Sequence, residues 1–150
     1  MRLRPLELRD RRAWAEMRAA LWPEADAAEL AHETIKHFAG VKAAEEVWVA
    51  EDVVIGRLLG FLELSLRAYA EGCASSPVPF VEAWYVTAEA RHSGVGRALI
   101  EAAENWSRLR GFAELGSDAA LENDPSHAAH QALGFEEVER IVCYRKSLGV

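Results

Sequence analysis

Tyr85-Val86-Thr87-Ala88-Glu89-Ala90-Arg91-His92-Ser93-Gly94-Val95-Gly96-Arg97-Ala98-Leu99-Ile100 is the stretch that decides the fold. A short apolar run ends at Val86. A polar connection follows, and then two glycines one residue apart open a long apolar-periodic helix. Glycine reaches backbone conformations closed to other residues and lets a ligand approach the main chain. The first turn of a helix has unpaired N–H groups and the positive end of the dipole, which suits a phosphate. Arg91, His92 and Arg97 add positive charge around that turn. Arg91-x-x-Gly94-x-Gly96 therefore reads as a pyrophosphate cradle between a strand and a helix. It is not the dinucleotide fingerprint G-x-G-x-x-G, and it lacks the Gly-Lys-Ser/Thr ending of a P-loop.

On the N-terminal side of the loop, residues 80–86 predict a central strand, and residues 58–66 and 47–50 two antiparallel strands before it. Residues 3–7 predict a short first strand. Trp14, Met17, Arg18 and Leu21 share one stripe of a helix that ends before Pro23. Asp26-Ala27-Ala28-Glu29 starts a second helix that reaches Gly40. Residues 67–79 form the one long irregular segment, a length that often carries function. On the C-terminal side, a helix over 95–110 buries Leu99, Ala102, Ala103, Trp106 and Leu109. Residues 113–118 predict a strand, and 123–133 a short helix closed by Gly134. Residues 136–146 predict a long last strand, with Val138, Val142 and Tyr144 alternating against charged neighbours. The order βααβββαβαβ describes a mixed α/β domain over 1–150. The crossover helix makes the fourth and fifth strands a parallel pair in a mostly antiparallel sheet.

The chain has 150 residues, 24 acids against 17 bases, and a formal net charge of −7. That balance disfavours nucleic acid or an anionic membrane as partner and permits a cationic substrate. No apolar run approaches the roughly 20 residues of a membrane helix, and the N-terminus has no signal-peptide core. Cys73 and Cys143 make neither a disulfide framework nor a metal-ligand cluster, so two reduced thiols and a cytoplasmic location are expected, without a metal.

The loop resembles the acyl-CoA loop of the Gcn5-related N-acetyltransferases. A second landmark is Asn123-x-x-Ser126-x-x-x-His130-x-x-Leu133-Gly134-Phe135, where the wider family has tyrosine in place of His130. Further segments look like the aminoglycoside 6′-N-acetyltransferases, in which histidine is usual there. They are Leu21-Trp22-Pro23, Tyr69-x-Glu71-Gly72-x-x-Ser75-Ser76-Pro77-Val78, Phe80-Val81-Glu82-x-Trp84-Tyr85-Val86 and Gly116-Ser117-Asp118-Ala119-x-Leu121-Glu122-Asn123. The run from Ala132 to Arg140 and the closing Tyr144-Arg145-Lys146 match as well. The resemblance implies the acyl-CoA N-acyltransferase (GNAT) fold and acetyl-CoA as co-substrate. It implies that Arg91, His92, Ser93, Gly94, Val95, Gly96 and Arg97 hold the pyrophosphate. Trp84, Tyr85 and Val86 would carry the pantetheine arm and the oxyanion, and Asn123 and His130 would complete the donor site. It also implies a homodimer built through the C-terminal strands.

The chemistry asks for matching residues. An amine attacking a thioester must lose a proton, so a carboxylate or a water chain should take it. Period-two alternation puts Glu82 and Trp84 on one face of the central strand. A carboxylate there needs a partner, either a cationic ligand or an arginine. Asp118 falls at the C-terminal end of a parallel strand, where α/β sheets place their sites; it reads as a base or as a helix cap. Tyr144 and His130 compete as donor of the proton to the leaving thiolate. Trp22 and Tyr69 suit sugar faces and ammonium groups, and Glu71 and Glu122 would add a negative rim. Three readings stay open: transfer of acetyl to the 6′-amine of an aminoglycoside, which is antibiotic resistance; transfer to a polyamine or protein amine; and acyl-CoA binding without catalysis.

Overall fold

The computed structural model of the chain describes residues 1–41 and 44–149. Five strands lie in the order of the sequence: β1 (Arg2–Pro5), β2 (Glu46–Asp52), β3 (Arg57–Arg67), β4 (Val78–Val86) and β5 (Gly116–Ser117). The first four pair antiparallel, and β5 joins β4 in parallel. Two helices, α1 (Arg11–Leu21) and α2 (Ala27–Phe38), separate β1 from β2. Helix α3 (Val95–Leu109) makes the crossover from β4 to β5, and α4 (Asp124–Ala132) follows β5. Among the described residues, no helix is long and apolar enough to cross a membrane.

Each helix starts and packs for local reasons. Trp14, Met17 and Arg18, at the helical i, i+3 and i+4 spacing, are the buried residues of α1. The Asp26 carboxylate accepts the Ala28 N–H at 2.9 Å and caps α2. Gly94 precedes α3 in the left-handed region (φ 89°), and His92 just before it also has positive φ (62°). The Asn123 side chain accepts the Ser126 N–H at 3.2 Å and caps α4.

The core divides across the sheet. Leu62, Leu64 and Val81 meet Leu99, Ile100 and Ala103 of α3 on one face. Val47, Val49, Phe61 and Ala83 meet Trp14 and Met17 of α1 on the other. Full burial of a side chain such as Leu99 or Phe61 stabilises by about 1.5–3 kcal/mol. The two faces thus clamp β3 and β4, the strands nearest the site.

Two expectations need correction. The strand expected over 136–146 is not formed: residues 136–149 carry no helix or strand. Val138, Ile141, Val142 and Tyr144 there are exposed. Alternation favours a strand, but a strand forms only by pairing, and among the described residues this segment joins no ladder of the sheet. The strand expected over 113–118 shortens to Gly116–Ser117, and its ladder with β4 is only Phe80↔Gly116 and Val81↔Ser117. Past Val81 the two parallel strands part company.

Candidate active site

The parting of β4 and β5 opens a cavity of about 300 Å³. Trp22 from the end of α1, Glu82 and Trp84 from β4, Asp118 after β5, and Asn123 and His130 of α4 all line it. Six residues far apart in sequence thus meet at one place. Tyr69, Glu122 and Tyr144 do not line it, and Glu71 lines a separate groove of about 420 Å³ beside α3 and α4. Tyr144 lies on the segment without a strand and is 93% exposed, so it is not positioned to serve the cavity.

Glu82 occupies a β-bulge. Glu63 pairs with Ala83 and Leu64 with Val81, which leaves Glu82 as the extra residue of β4. The bulge breaks the period-two pattern and overturns the expected shared face of Glu82 and Trp84. Trp84 packs with the α3 side of the sheet. Glu82 turns instead to Ser65 and Arg67, which alternate with Glu63 on the α1 side. The Arg67 guanidinium donates to both carboxylate oxygens, each at 2.8 Å, and the Ser65 hydroxyl donates at 2.5 Å. The partner of Glu82 is therefore an arginine of the chain itself. Burial pushes the Glu82 carboxyl up, but the bonds from Arg67 and Ser65 outweigh it and hold the group below its ordinary range. Arg67 also lies 3.6 Å from the centre of the Phe80 ring and feels the charges of Asp118 and Glu71. Sequence reasoning missed Ser65 and Arg67; their alternation after Glu63 was the available signal.

Asp118 is exposed and makes no hydrogen bond to a described residue. It is not a helix cap, because Asn123 fills that role for α4. Trp22 is held from beneath. The Arg18 guanidinium sits 5.0 Å from its ring and 5.4 Å from that of Trp14. Arg18 in turn donates to Glu63 and to Glu33, each at 2.7 Å. His130 is fixed on three sides: Ser117 Oγ lies 2.7 Å from Nε2, the Ser126 carbonyl 2.7 Å from Nδ1, and Trp84 meets the ring edge-on at 5.2 Å.

The loop between β4 and α3 is open to solvent at Arg91, His92, Ser93, Gly94 and Arg97. Arg91 Nε donates to the Val86 carbonyl at 3.2 Å. The first turn of α3 holds no acidic residue and has no side-chain cap, so its N–H groups are available to an anion. The two glycines divide the work. Gly94 supplies the left-handed turn, whereas a Cβ on Gly96 would meet the Trp84 indole at 3.2 Å. The absence of a side chain at Gly96 therefore serves the packing of Trp84, whose Nε1–H donates to the Gly96 carbonyl at 3.2 Å.

A strand that loses its parallel neighbour thus runs into a bare, cationic helix N-terminus. The sequence profile of the acetyltransferase (GNAT) family matches residues 11–135. The chain belongs to the GNAT acetyltransferase family. It is 46% identical over 149 residues to the aminoglycoside N(6')-acetyltransferase type 1 of Klebsiella aerogenes, covering 97% of this chain and 96% of that one. A protein of the same name from Acinetobacter baumannii is 33% identical, with 99% and 100% covered. Among solved structures, AAC(6')-Iy in complex with the bisubstrate analog CoA-S-monomethyl-acetylneamine is similar, with a TM-score of 0.84, 34% identity and 97% of each chain covered. The apo AAC(6')-IG enzyme of Acinetobacter haemolyticus superposes with a TM-score of 0.86 at 34% identity, with 99% of each covered. In this GNAT chain the β4–loop–α3 track and the acid-lined cavity abut at Trp84.

Proposed function

We propose that this GNAT enzyme is an aminoglycoside 6′-N-acetyltransferase that moves acetyl from acetyl-CoA to the 6′-amine in a ternary complex. The observation that carries the reading is the cavity itself. It joins an aromatic wall, Trp22 and Trp84, to two carboxylates, Glu82 and Asp118, at the open edge of β4. Aromatic faces and carboxylates together suit an aminated sugar. The named relatives support the choice of acceptor.

The residues of the loop fit acetyl-CoA. N–H groups from Gly94 to Arg97, with the Arg91 and Arg97 side chains, would hold the pyrophosphate. The edge of β4 from Trp84 to Val86 would carry the pantetheine arm and present an N–H to the developing oxyanion. Asp118, accessible and without a hydrogen-bond partner among described residues, would take the proton of the attacking amine. Glu82, already neutralised in part by Arg67, would act as an anchor for a neighbouring ammonium. The thioester carbon accepts the amine lone pair, and the thiolate leaves with the electrons of the C–S bond.

The enzyme is further read as a cytoplasmic homodimer. The free thiols Cys73 and Cys143 suit a reducing compartment. Exposed Val138, Ile141, Val142 and Tyr144 on an unpaired segment are the kind of surface that a second copy covers.

The test is an acceptor panel with acetyl-CoA: a 6′-amino aminoglycoside such as kanamycin, its counterpart with a 6′-hydroxyl, a polyamine and a lysine peptide. The reading expects turnover with the first and little with the others. Turnover confined to the polyamine or the peptide would replace it with the corresponding rival.

A further inference from the structure

The network around His130 fixes the direction of its hydrogen bonds. The Ser126 carbonyl, 2.7 Å from Nδ1, can only accept, so Nδ1 carries a proton. In the neutral ring Nε2 is then the acceptor, and the Ser117 hydroxyl donates to it across 2.7 Å. Trp84 and Phe135 meet the ring edge-on at 5.2 and 5.1 Å and hold its plane. His130 therefore has no free N–H with which to protonate a ligand directly. Ser117 Oγ is the group on Nε2, and both residues line the cavity. Ser117 is the last residue of β5, directly opposite Val81 where the β4 ladder ends, and it lines the same cavity as Trp84, Glu82 and Asp118.

We propose that Ser117 and His130 form a proton relay that delivers a proton to the leaving thiolate of CoA. The inference rests on the acetyl-transfer reading but not on which amine is the acceptor. The reactive form carries imidazolium at His130, with Nδ1–H still on the Ser126 carbonyl and Nε2–H now donated to Ser117 Oγ. As the C–N bond forms and the C–S bond breaks, sulfur keeps the bonding pair. Ser117 gives its hydroxyl proton to sulfur and takes the Nε2 proton of His130, leaving a thiol and a neutral imidazole. The proton lost by the new amide nitrogen goes to Asp118 and then to solvent. Solvent returns one proton to His130 before the next turnover, so the cycle has no net proton demand. Glu82 from β4 and Asp118 after β5 are the charged groups that line the cavity with the ring; the end of α1 contributes only Leu21 and Trp22.

The experiment measures the single-turnover rate of acetyl transfer at one fixed pH, so that product release does not mask the chemical step. Ser117→Ala is expected to slow transfer by roughly 100-fold, the range of a lost general acid, with acetyl-CoA affinity near that of the parent. Ser117→Thr keeps a hydroxyl and should recover most of the rate. Ser117→Ala combined with His130→Gln should fall no further than the slower single variant. A parent-like rate in Ser117→Ala would overturn the relay. Equal impairment of the Ala and Thr variants would also overturn it, because packing would then be the cause. The comparison uses whichever amine the parent acetylates, so failure of aminoglycosides as acceptors rejects the earlier reading without deciding this one.

Discussion

At Glu82 a buried-strand carboxylate, a bulge and a cross-strand arginine meet in one residue. The bulge lets the side chain meet Ser65 and Arg67 across the strand pair, and these keep it ionised. Glu82→Gln removes one anchor charge and leaves Arg67 as an unopposed cation beside a cationic ligand. A hydrogen bond to a charged group contributes about 1.5–3 kcal/mol, which corresponds to about 10- to 100-fold in affinity. The acceptor KM should rise by that range while the acetyl-CoA KM stays put; equal shifts in both would remove Glu82 from the acceptor site. The sign of its pH response follows from the depressed carboxyl. A group lowered in the folded state loses its contribution only as pH falls through that lowered value. Acceptor affinity should therefore survive, as far as Glu82 is concerned, when pH is lowered from neutrality into the ordinary carboxylate range. Sequence alone showed that Glu82 needed a partner. It did not show which one, because alternation cannot foresee a bulge and Arg67 lies 15 residues away.

The elements differ in how far local sequence determines them. The loop and α3 were legible because their signals are short-range: an apolar strand end, a left-handed Gly94 and a periodic helix. The cap at Asn123 is local as well, yet the resemblance alone had suggested a contact with the ligand there. The last strand is not legible in the same way, because a strand is completed by its neighbour and alternation over 136–146 does not show whether the segment joins a ladder; among the described residues it joins none. Helix α1 reaches the site through Arg18, which ties it to β3 at Glu63 and to α2 at Glu33 while supporting Trp22. Breaking a buried pair strands the remaining charge and costs about 3–5 kcal/mol. Arg18→Ala should lower the unfolding free energy by that amount in denaturant titration; a loss within the scatter of surface substitutions would show that the network carries little. At the loop, Gly96→Ala sets a Cβ 3.2 Å from the Trp84 indole. It should quench or shift the Trp84 environment and weaken acetyl-CoA binding, and unchanged CoA affinity would contradict the close fit of loop and strand.

On the scale of the whole molecule, an acidic composition surrounds one cationic loop. The chain carries a formal charge of −7, yet Arg91, His92 and Arg97 cluster at the start of α3. A polycationic acceptor drawn by the acids should bind more weakly as ionic strength rises from about 0.01 M to about 0.15 M, over which the screening length falls from about 30 Å to about 8 Å. An acceptor KM indifferent to salt would argue against charge as the basis of recognition. The C-terminal segment bears on assembly. If a second copy covers it, the chain should sediment at twice its own mass, and Val142→Asp with Tyr144→Asp should yield a folded monomer; a parent that sediments as a monomer would reject the dimer. The central claim is the transfer itself, from acetyl-CoA to one nitrogen of an aminated sugar bound beside Trp84. Tandem mass spectrometry of the product formed from kanamycin and acetyl-CoA tests it most directly. The account predicts a single acetyl group on the 6′-nitrogen with one free CoA released per product. Acetyl on another nitrogen or on a hydroxyl, or no acetylated product at all, would contradict it.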